Sequence, residues 1–198
     1  MKRLATLFCL ALSASAANAA VLSFEDVPGA TAGYYNNPIP DDYAGYDWTG
    51  FYVTDTTYLA AIRSGNSSGI TDGAWAASNG GGSPASVTGE TLFNFYGADF
   101  TRLRFSTAAT LTLIAYSGGA PLYTDSFTIG ATPVTKSYSW TGIDRLEFIP
   151  SVGTLGTNVA IDRLNLVPVP EPETYALMLA GLSLIGAVAR RHKRRQTA

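Results

Sequence analysis

Between Ala20 and Pro170 the chain contains neither cysteine nor histidine; the single Cys9 and the single His192 lie near its two ends. That absence removes cysteine nucleophiles, Ser-His-Asp triads, histidine proton shuttles, disulfides and the usual zinc and haem sites from the central segment. Charge is scarce as well, at 14 % of 198 residues, and unevenly placed. Seven of the thirteen Lys and Arg residues sit in the ends (Lys2, Arg3, Arg190, Arg191, Lys193, Arg194, Arg195), against only Glu171 and Glu173 of the fifteen acids. The central segment therefore holds six basic and thirteen acidic residues, a net charge of −7. An acidic body argues against nucleic acid or an anionic membrane surface as its partner. No central window keeps a 3.6-residue apolar period for more than two turns, which speaks against a helical domain.

The ends read as addresses. Met1-Lys2-Arg3, the apolar run Leu4 to Leu12 and the small-residue exit Ala17-Asn18-Ala19 have the layout of a secretory signal peptide over residues 1–19. The apolar run is too short for a membrane anchor, which needs about 20 residues. At the other end, Val167-Pro168-Val169-Pro170-Glu171-Pro172-Glu173 precedes an apolar stretch from Tyr175 to Ala189 and then Arg190-Arg191-His192-Lys193-Arg194-Arg195. As a helix that stretch is about 22 Å long, short against a hydrocarbon core of about 30 Å, so it suits transient insertion with snorkelling arginines better than a permanent span. The basic cluster would keep the C-terminus cytoplasmic and place the body outside.

Pro170-Glu171-Pro172, the short apolar helix with Ala180-Gly181-Leu182 and the Arg-rich terminus together resemble the PEP-CTERM sorting signal, also known as the ice-binding protein C-terminal domain. The resemblance covers about the last 30 residues. It implies export through the Sec translocase, then recognition by an exosortase-type membrane protease that cuts near the Pro-Glu-Pro. It further implies a cell-surface or extracellular destination, membrane-anchored by the C-terminal helix before processing, in bacteria that make exopolysaccharide. An ordinary C-terminal anchor is the alternative.

The body, residues 20–167, is rich in short alternating runs. Arg102-Leu103-Arg104-Phe105 alternates, and so does Val134 to Trp140, where Val134, Lys136, Tyr138 and Trp140 face away from Thr135, Ser137 and Ser139. Further strands are expected at 21–24, 49–54, 58–62, 91–96, 110–116, 122–129, 143–149 and 159–166. Nine or ten short strands broken by turns predict an all-β fold, a single β-sandwich or jelly roll. Ser78 to Ser83 reads as the most flexible loop, and residues 168–198 form the sorting segment.

Three constellations could carry function. Glu25-Asp26 after the first strand and Asp162 in the last, expected to share a strand face with Ala160, Leu164 and Leu166, resemble the terminal strands of jelly-roll carbohydrate-binding modules. That resemblance implies a structural Ca2+ on Glu25, Asp26 and Asp162; pairing of Asp162 with Arg163, Arg145 or loop amides is the alternative. Aromatic residues from Tyr34 to Tyr52, together with Trp75, are candidates for stacking on sugars, with Tyr46, Trp48 and Trp75 as the chosen contacts and core packing as the alternative. Carboxylate pairs for glycoside hydrolysis are available by composition, but Glu147, between Leu146 and Phe148, reads as a solvated outward residue. The leading expectation is a non-enzymatic, exopolysaccharide- or biofilm-associated surface protein, followed by a calcium-stabilised carbohydrate-binding module and then by a surface glycoside hydrolase.

Overall fold

A computed structural model describes residues 20–34, 36–57, 71–103, 109–151, 158–170 and 176–186. The chain divides into two compact units, one of them Asn18–Val169. That unit contains β1 (Ala20–Leu22), β2 (Asn37–Pro38), β3 (Tyr46–Thr49), β4 (Phe51–Asp55), β5 (Trp75–Asn79), β6 (Ala85–Arg102), β7 (Ala109–Ser117), β8 (Ala120–Ile129), β9 (Val134–Pro150) and β10 (Val159–Pro168). The hydrogen-bonded order is β2-β4-β5-β10-β6-β9-β7-β8, with β1 beside β10 and β3 beside β6.

Two strands are too long for one layer. β6 has 18 residues and β9 has 17, against a usual strand of about 5 to 6. Ser86 to Gly89 of β6 pairs with β3 and Ala85 to Thr88 with Phe148 to Arg145 of β9, whereas Phe93 to Arg102 pairs with β10 and, from Phe93 to Phe100, with Ile143 to Val134. Each long strand thus serves both layers. One layer is β3, the first part of β6, the second part of β9, β7 and β8; the other is β2, β4, β5, β10, the second part of β6 and the first part of β9, with β1 added to β10. Rings close the space between them. Phe51 of β4 meets Phe148 of β9 at 5.2 Å, and Phe100 of β6 meets Phe127 of β8 at 5.1 Å. The expected β-sandwich is therefore the observed architecture.

Bulges set which side chains enter that core. Between Asp162 and Asn165, β10 advances three residues while β6 advances two, from Asp99 to Gly97. Arg163 absorbs the extra residue at φ 49°, in the left-handed region. The facing side consequently switches: Val159 and Ile161 enter the core before the bulge, Leu164 and Leu166 after it. The expectation that Asp162 shares a face with Leu164 and Leu166 is corrected by this bulge; Asp162 shares the outer face with Ala160 alone. β6 switches at the same level through Gly97, at φ 142°, where a Cβ would stand 2.1 Å from the Lys136 carbonyl oxygen.

Other boundaries shift too. The strand expected at 49–54 is broken by Gly50, at φ 72°, into β3 and β4, while those expected at 134–140 and 143–149 are one continuous β9. Ser78 and Asn79 are buried at the end of β5, and a Cβ on Gly80 would lie 2.2 Å from the Tyr52 ring, so the first half of this stretch is packed while Gly81 and Ser83 are exposed. The expected strand at 58–62, the signal peptide and residues 171–175, which include Glu171 and Pro172, lie outside the described residues.

The second unit includes a helix, α1, at 176–186. Leu177, Met178, Leu179, Leu182, Leu184 and Ile185 are exposed and spread over more than half of its circumference, with Ala176, Ala180 and Ser183 on the remaining sector. Eleven residues give about 16 Å, and among the described residues no helix is long and apolar enough to cross a membrane. The C-terminal helix expected from the sequence is present, but the membrane anchor expected of it is not found among the described residues.

The Gly97 clash predicts that Gly97→Ala destabilises the sandwich by about 2 kcal/mol or more, read as a lower urea midpoint. Gly118→Ala, also at positive φ but with nothing within 4 Å of its Cβ, is expected to cost about half as much. Equal losses would show that the carbonyl contact at Gly97 contributes nothing.

Candidate functional site

The residues expected to hold a metal instead clamp a loop. Glu25 Oε1 accepts the amides of Ala74 and Trp75 at 2.7 and 2.8 Å. Asp26 accepts the Tyr43 hydroxyl at 2.8 Å. Asp162 Oδ2 accepts the amides of Thr71 and Asp72, both at 2.8 Å, and its Oδ1 accepts the Arg163 amide at 2.7 Å. The segment Thr71 to Trp75 is thus tied to the residues after β1 at one end and to β10 at the other. N–H dipoles point at the oxygens a cation would need, and among the described residues no three His, Cys, Asp or Glu side chains converge into a metal-holding group. Glu25, Asp26 and Asp162 do not fit a shared Ca2+.

Asp162 faces Asp99 across the β10–β6 ladder, and both are buried, at 0 % and 2 % exposure. Thr135 Oγ donates to Asp99 Oδ1, Thr71 Oγ to Asp99 Oδ2, and Arg163 Nη1 lies 3.5 Å from that same Oδ2. Burial raises the Asp162 carboxyl above its ordinary value, with the amide donors of Thr71, Asp72 and Arg163 opposing the shift. A carboxylate pair enclosed in this way cannot meet a glycosidic bond, although its members face one another.

The aromatic residues selected from sequence fall largely in the core. Tyr46 and Trp48 are each 5 % exposed. Tyr46 sets its edge on Phe93 at 5.3 Å, and Trp48 is T-shaped to Phe24 and Phe51 while its Nε1 donates to the Tyr43 carbonyl. Neither ring offers a face to a sugar, which corrects their assignment as contacts. Trp75 is half-buried where β5 begins, packed against the core.

A different aromatic group lies open at the side of the sandwich. Among the described residues, β8 is hydrogen-bonded only to β7, and the stretch Val134 to Trp140 of β9 only to β6, so each presents a free edge there. Side chains bridge these edges. Tyr123 stacks on Trp140 at 5.5 Å and 8°, and Trp140 lies 4.4 Å from Tyr138, which in turn stacks on buried Phe95. Tyr138 donates its hydroxyl to Asp125 Oδ2 at 2.7 Å; Lys136 Nζ reaches the same oxygen at 3.0 Å and sits 4.5 Å above the Phe127 ring. Burial and the Asp125 hydrogen bond push the Tyr138 phenol well above its usual range, so it remains a donor. The Tyr138 hydroxyl and Lys136 together hold the Asp125 carboxyl below the ordinary value. The alternation from Val134 to Trp140 was visible in the sequence; the missing signal was its partner, because Leu122 to Ile129 gives no hint of which strand it covers.

On the outer face of the same layer, Tyr116 donates to Glu147 Oε2 at 2.9 Å and Arg145 lies 3.9 Å above the Tyr116 ring. Glu147 points outward as expected, since Leu146 and Phe148 on either side of it are buried.

Comparison with known proteins bears on the tail and the fold. Residues 168–195 match the PEP-CTERM protein-sorting motif. The chain therefore carries an exosortase-type sorting tail, which supports an exported, cell-surface protein. No curated protein matches the chain. Among solved structures, it is similar to a DUF4465 family protein from Bacteroides caccae at 12% identity and a TM-score of 0.50, covering 77% of this chain and 100% of that one. It is also similar to TmCBM61 in complex with beta-1,4-galactotriose (11% identity, 69% and 100% covered, TM-score 0.39). A third likeness is the CBM22-1 xylan-binding domain of Paenibacillus barcinonensis Xyn10C (12% identity, 70% and 92% covered, TM-score 0.38). At these identities the likenesses concern the fold alone.

The Asp162 environment predicts a pH signature. A carboxyl whose folded pKa is raised is protonated in the fold when the unfolded chain has already released its proton. Its contribution is full below the ordinary value of 3.8 and is lost as pH rises from there through the raised folded pKa. Asp162→Asn removes that slope, and it costs about 1 to 3 kcal/mol because its amide NH2 must face an N–H donor. Urea unfolding of both proteins from pH 3.5 upward checks this; identical slopes would refute it. The donor-filled carboxylates also predict that excess chelator leaves the melting temperature unchanged, and a fall of several degrees would restore the calcium reading.

Proposed function

We propose that the chain is a non-enzymatic, surface-displayed β-sandwich, cut by an exosortase-type protease at its tail, that associates with neutral exopolysaccharide through the seam between β8 and β9. The observation that carries this reading is the half-buried Tyr123–Trp140 stack, extended by the Tyr138 ring 4.4 Å from Trp140, whose hydroxyl and Lys136 both bind Asp125. Apolar ring faces suit the C–H faces of sugar rings, while a fixed carboxylate and ammonium suit hydroxyl groups. Lys136 is already paired with Asp125 and the body carries −7, so a polyanionic chain would meet repulsion and a neutral one would not. A non-catalytic role agrees with the carboxylates: Asp99 and Asp162 are enclosed, Glu25 is filled by amides and Glu147 holds Tyr116.

Affinity electrophoresis of the signal-processed chain in gels containing neutral or acidic exopolysaccharide tests the reading. Retardation is expected with the neutral polymer, unaffected by salt, and weakened about tenfold by Tyr123→Ala or Trp140→Ala. Tyr46→Phe is expected to bind normally and to fold at least as stably, because it removes a buried hydroxyl that has no hydrogen-bond partner among the described residues. Unchanged mobility in every polymer, or equal loss in the Tyr46 variant, would rule out the seam.

A further inference from the structure

Below the bulge, the outer face of the β1–β10–β6 layer between Leu92 and Tyr96 is partly to fully exposed and carries no charge; exposed Glu90 lies two residues before Leu92 and borders it. Val21 on β1 is opposite Asn165 on β10, which is opposite Gly97 beside Tyr96 on β6. One step along, Val167 faces Asn94, and the Val169 amide donates to the Leu92 carbonyl. Val21, Leu92 and Tyr96 are 51 %, 44 % and 39 % exposed. The inward neighbours Leu22, Phe93, Phe95 and Leu166 are all buried, so these outward side chains face away from the core.

Both ends of the sandwich leave from this place. β1 is antiparallel to β10 with Ala20 opposite Leu166, so the start of one strand and the end of the other lie together. Ala20 follows the expected signal peptide; Val169 leads into the sorting tail. Residues 171–175 separate Pro170 from α1, and such a segment spans about 20 Å at most when fully extended. α1 exposes large apolar side chains over more than half of its circumference, and Ser183, on the remaining sector, returns its hydroxyl to the Leu179 carbonyl, a pattern that suits lipid.

We propose that this face is a membrane-docking surface: while the tail is attached, Val21, Leu92 and Tyr96 rest at the headgroup level of a zwitterionic outer leaflet. The inference rests on the reading of the tail as membrane-directed. Two apolar side chains and an amphipathic tyrosine are a modest surface for free association, but a covalent connection of only a few residues to the tail raises their effective concentration to about the millimolar range. Tyrosine is suited to that level, with its ring toward the acyl region and its hydroxyl in water. The net charge of −7 lies on other parts of the sandwich, because Val21, Leu92, Asn94, Tyr96, Asn165 and Val167 carry none.

The test uses the signal-processed chain with its tail intact, bound to phosphatidylcholine vesicles. No cysteine follows Cys9, so a single introduced thiol is unique. Asn165→Cys, or Ser137→Cys should the first fold poorly, carries an environment-sensitive fluorophore inside or beside the patch; Thr124→Cys on β8 is the remote control. Docking predicts a blue shift and at least twofold stronger quenching by spin-labelled lipid at the patch than at position 124, lost in Leu92→Asp/Tyr96→Asp. Vesicle-bound chain whose patch label is as open to aqueous iodide as the control overturns the docking surface while leaving the tail reading intact. Failure of the chain to bind vesicles overturns both. A blue shift that depends on protein concentration in the absence of lipid assigns the face to a second copy of the chain and also overturns the proposal.

Discussion

The sandwich depends on one level of its sheet, where Gly97 in β6 and Arg163 in β10 take up positive φ and both strands change which side chains they turn inward. Without that change a strand of ten residues such as β10 would send either Ile161 or Leu164 out of the core. With it, Val159, Ile161, Leu164 and Leu166 all reach the core. The cost appears on the other face. Above the bulge, Asp99, Thr101 and Asp162 are buried outward of the sheet; below it, Tyr96 and Leu92 are exposed. Two surfaces of opposite character on one pair of strands are thus consequences of a single backbone irregularity.

The buried acids above the bulge are tolerated because they are supplied with donors. Asp162 accepts three amides, and Asp99 receives two hydroxyls as well as Arg163. Since desolvation still raises the Asp162 carboxyl, those donors reduce the burial cost without cancelling it. What the arrangement secures is connectivity: Thr71 to Trp75 links the chain after β1 to β10, the first and last strands of the sandwich. In a domain without disulfides this network constrains both chain ends, a role that resembles that of the calcium expected from sequence but uses N–H groups in place of a cation.

Strand alternation made the all-β class readable, and the tail was readable because its three parts occur in order. Burial was harder. Tyr46, Trp48 and Trp75 look alike in sequence, yet β3 turns Tyr46 and Trp48 inward onto Phe93 and Phe24, while Trp75 begins β5 only half covered. That difference follows from which face of each strand meets the second layer, a property of long-range pairing. Asp162 was placed on a strand face with the wrong neighbours, because a bulge at a non-glycine residue such as Arg163 leaves no mark in composition. Glu147 was legible because no bulge separates it from Leu146 and Phe148.

The seam between β8 and β9 shows why a candidate binding site arises where the sheet is incomplete. An open edge invites pairing with another chain, and sandwiches need some means of blunting it. Here two free edges are bridged by ring stacking, a phenol–carboxylate hydrogen bond and an ion pair, none of which satisfies the edge backbone groups. Aromatic side chains can serve this purpose because they cover a wide gap while keeping their hydroxyl or indole N–H groups near water. The same property leaves part of each ring accessible. A fully hydrogen-bonded closure, such as joining β8 to β9 as a barrel, would bury the rings, whereas charged blunting alone would offer no apolar face. Closure by amphipathic side chains is therefore the arrangement in which protecting the edge and presenting a sugar-compatible surface use the same residues.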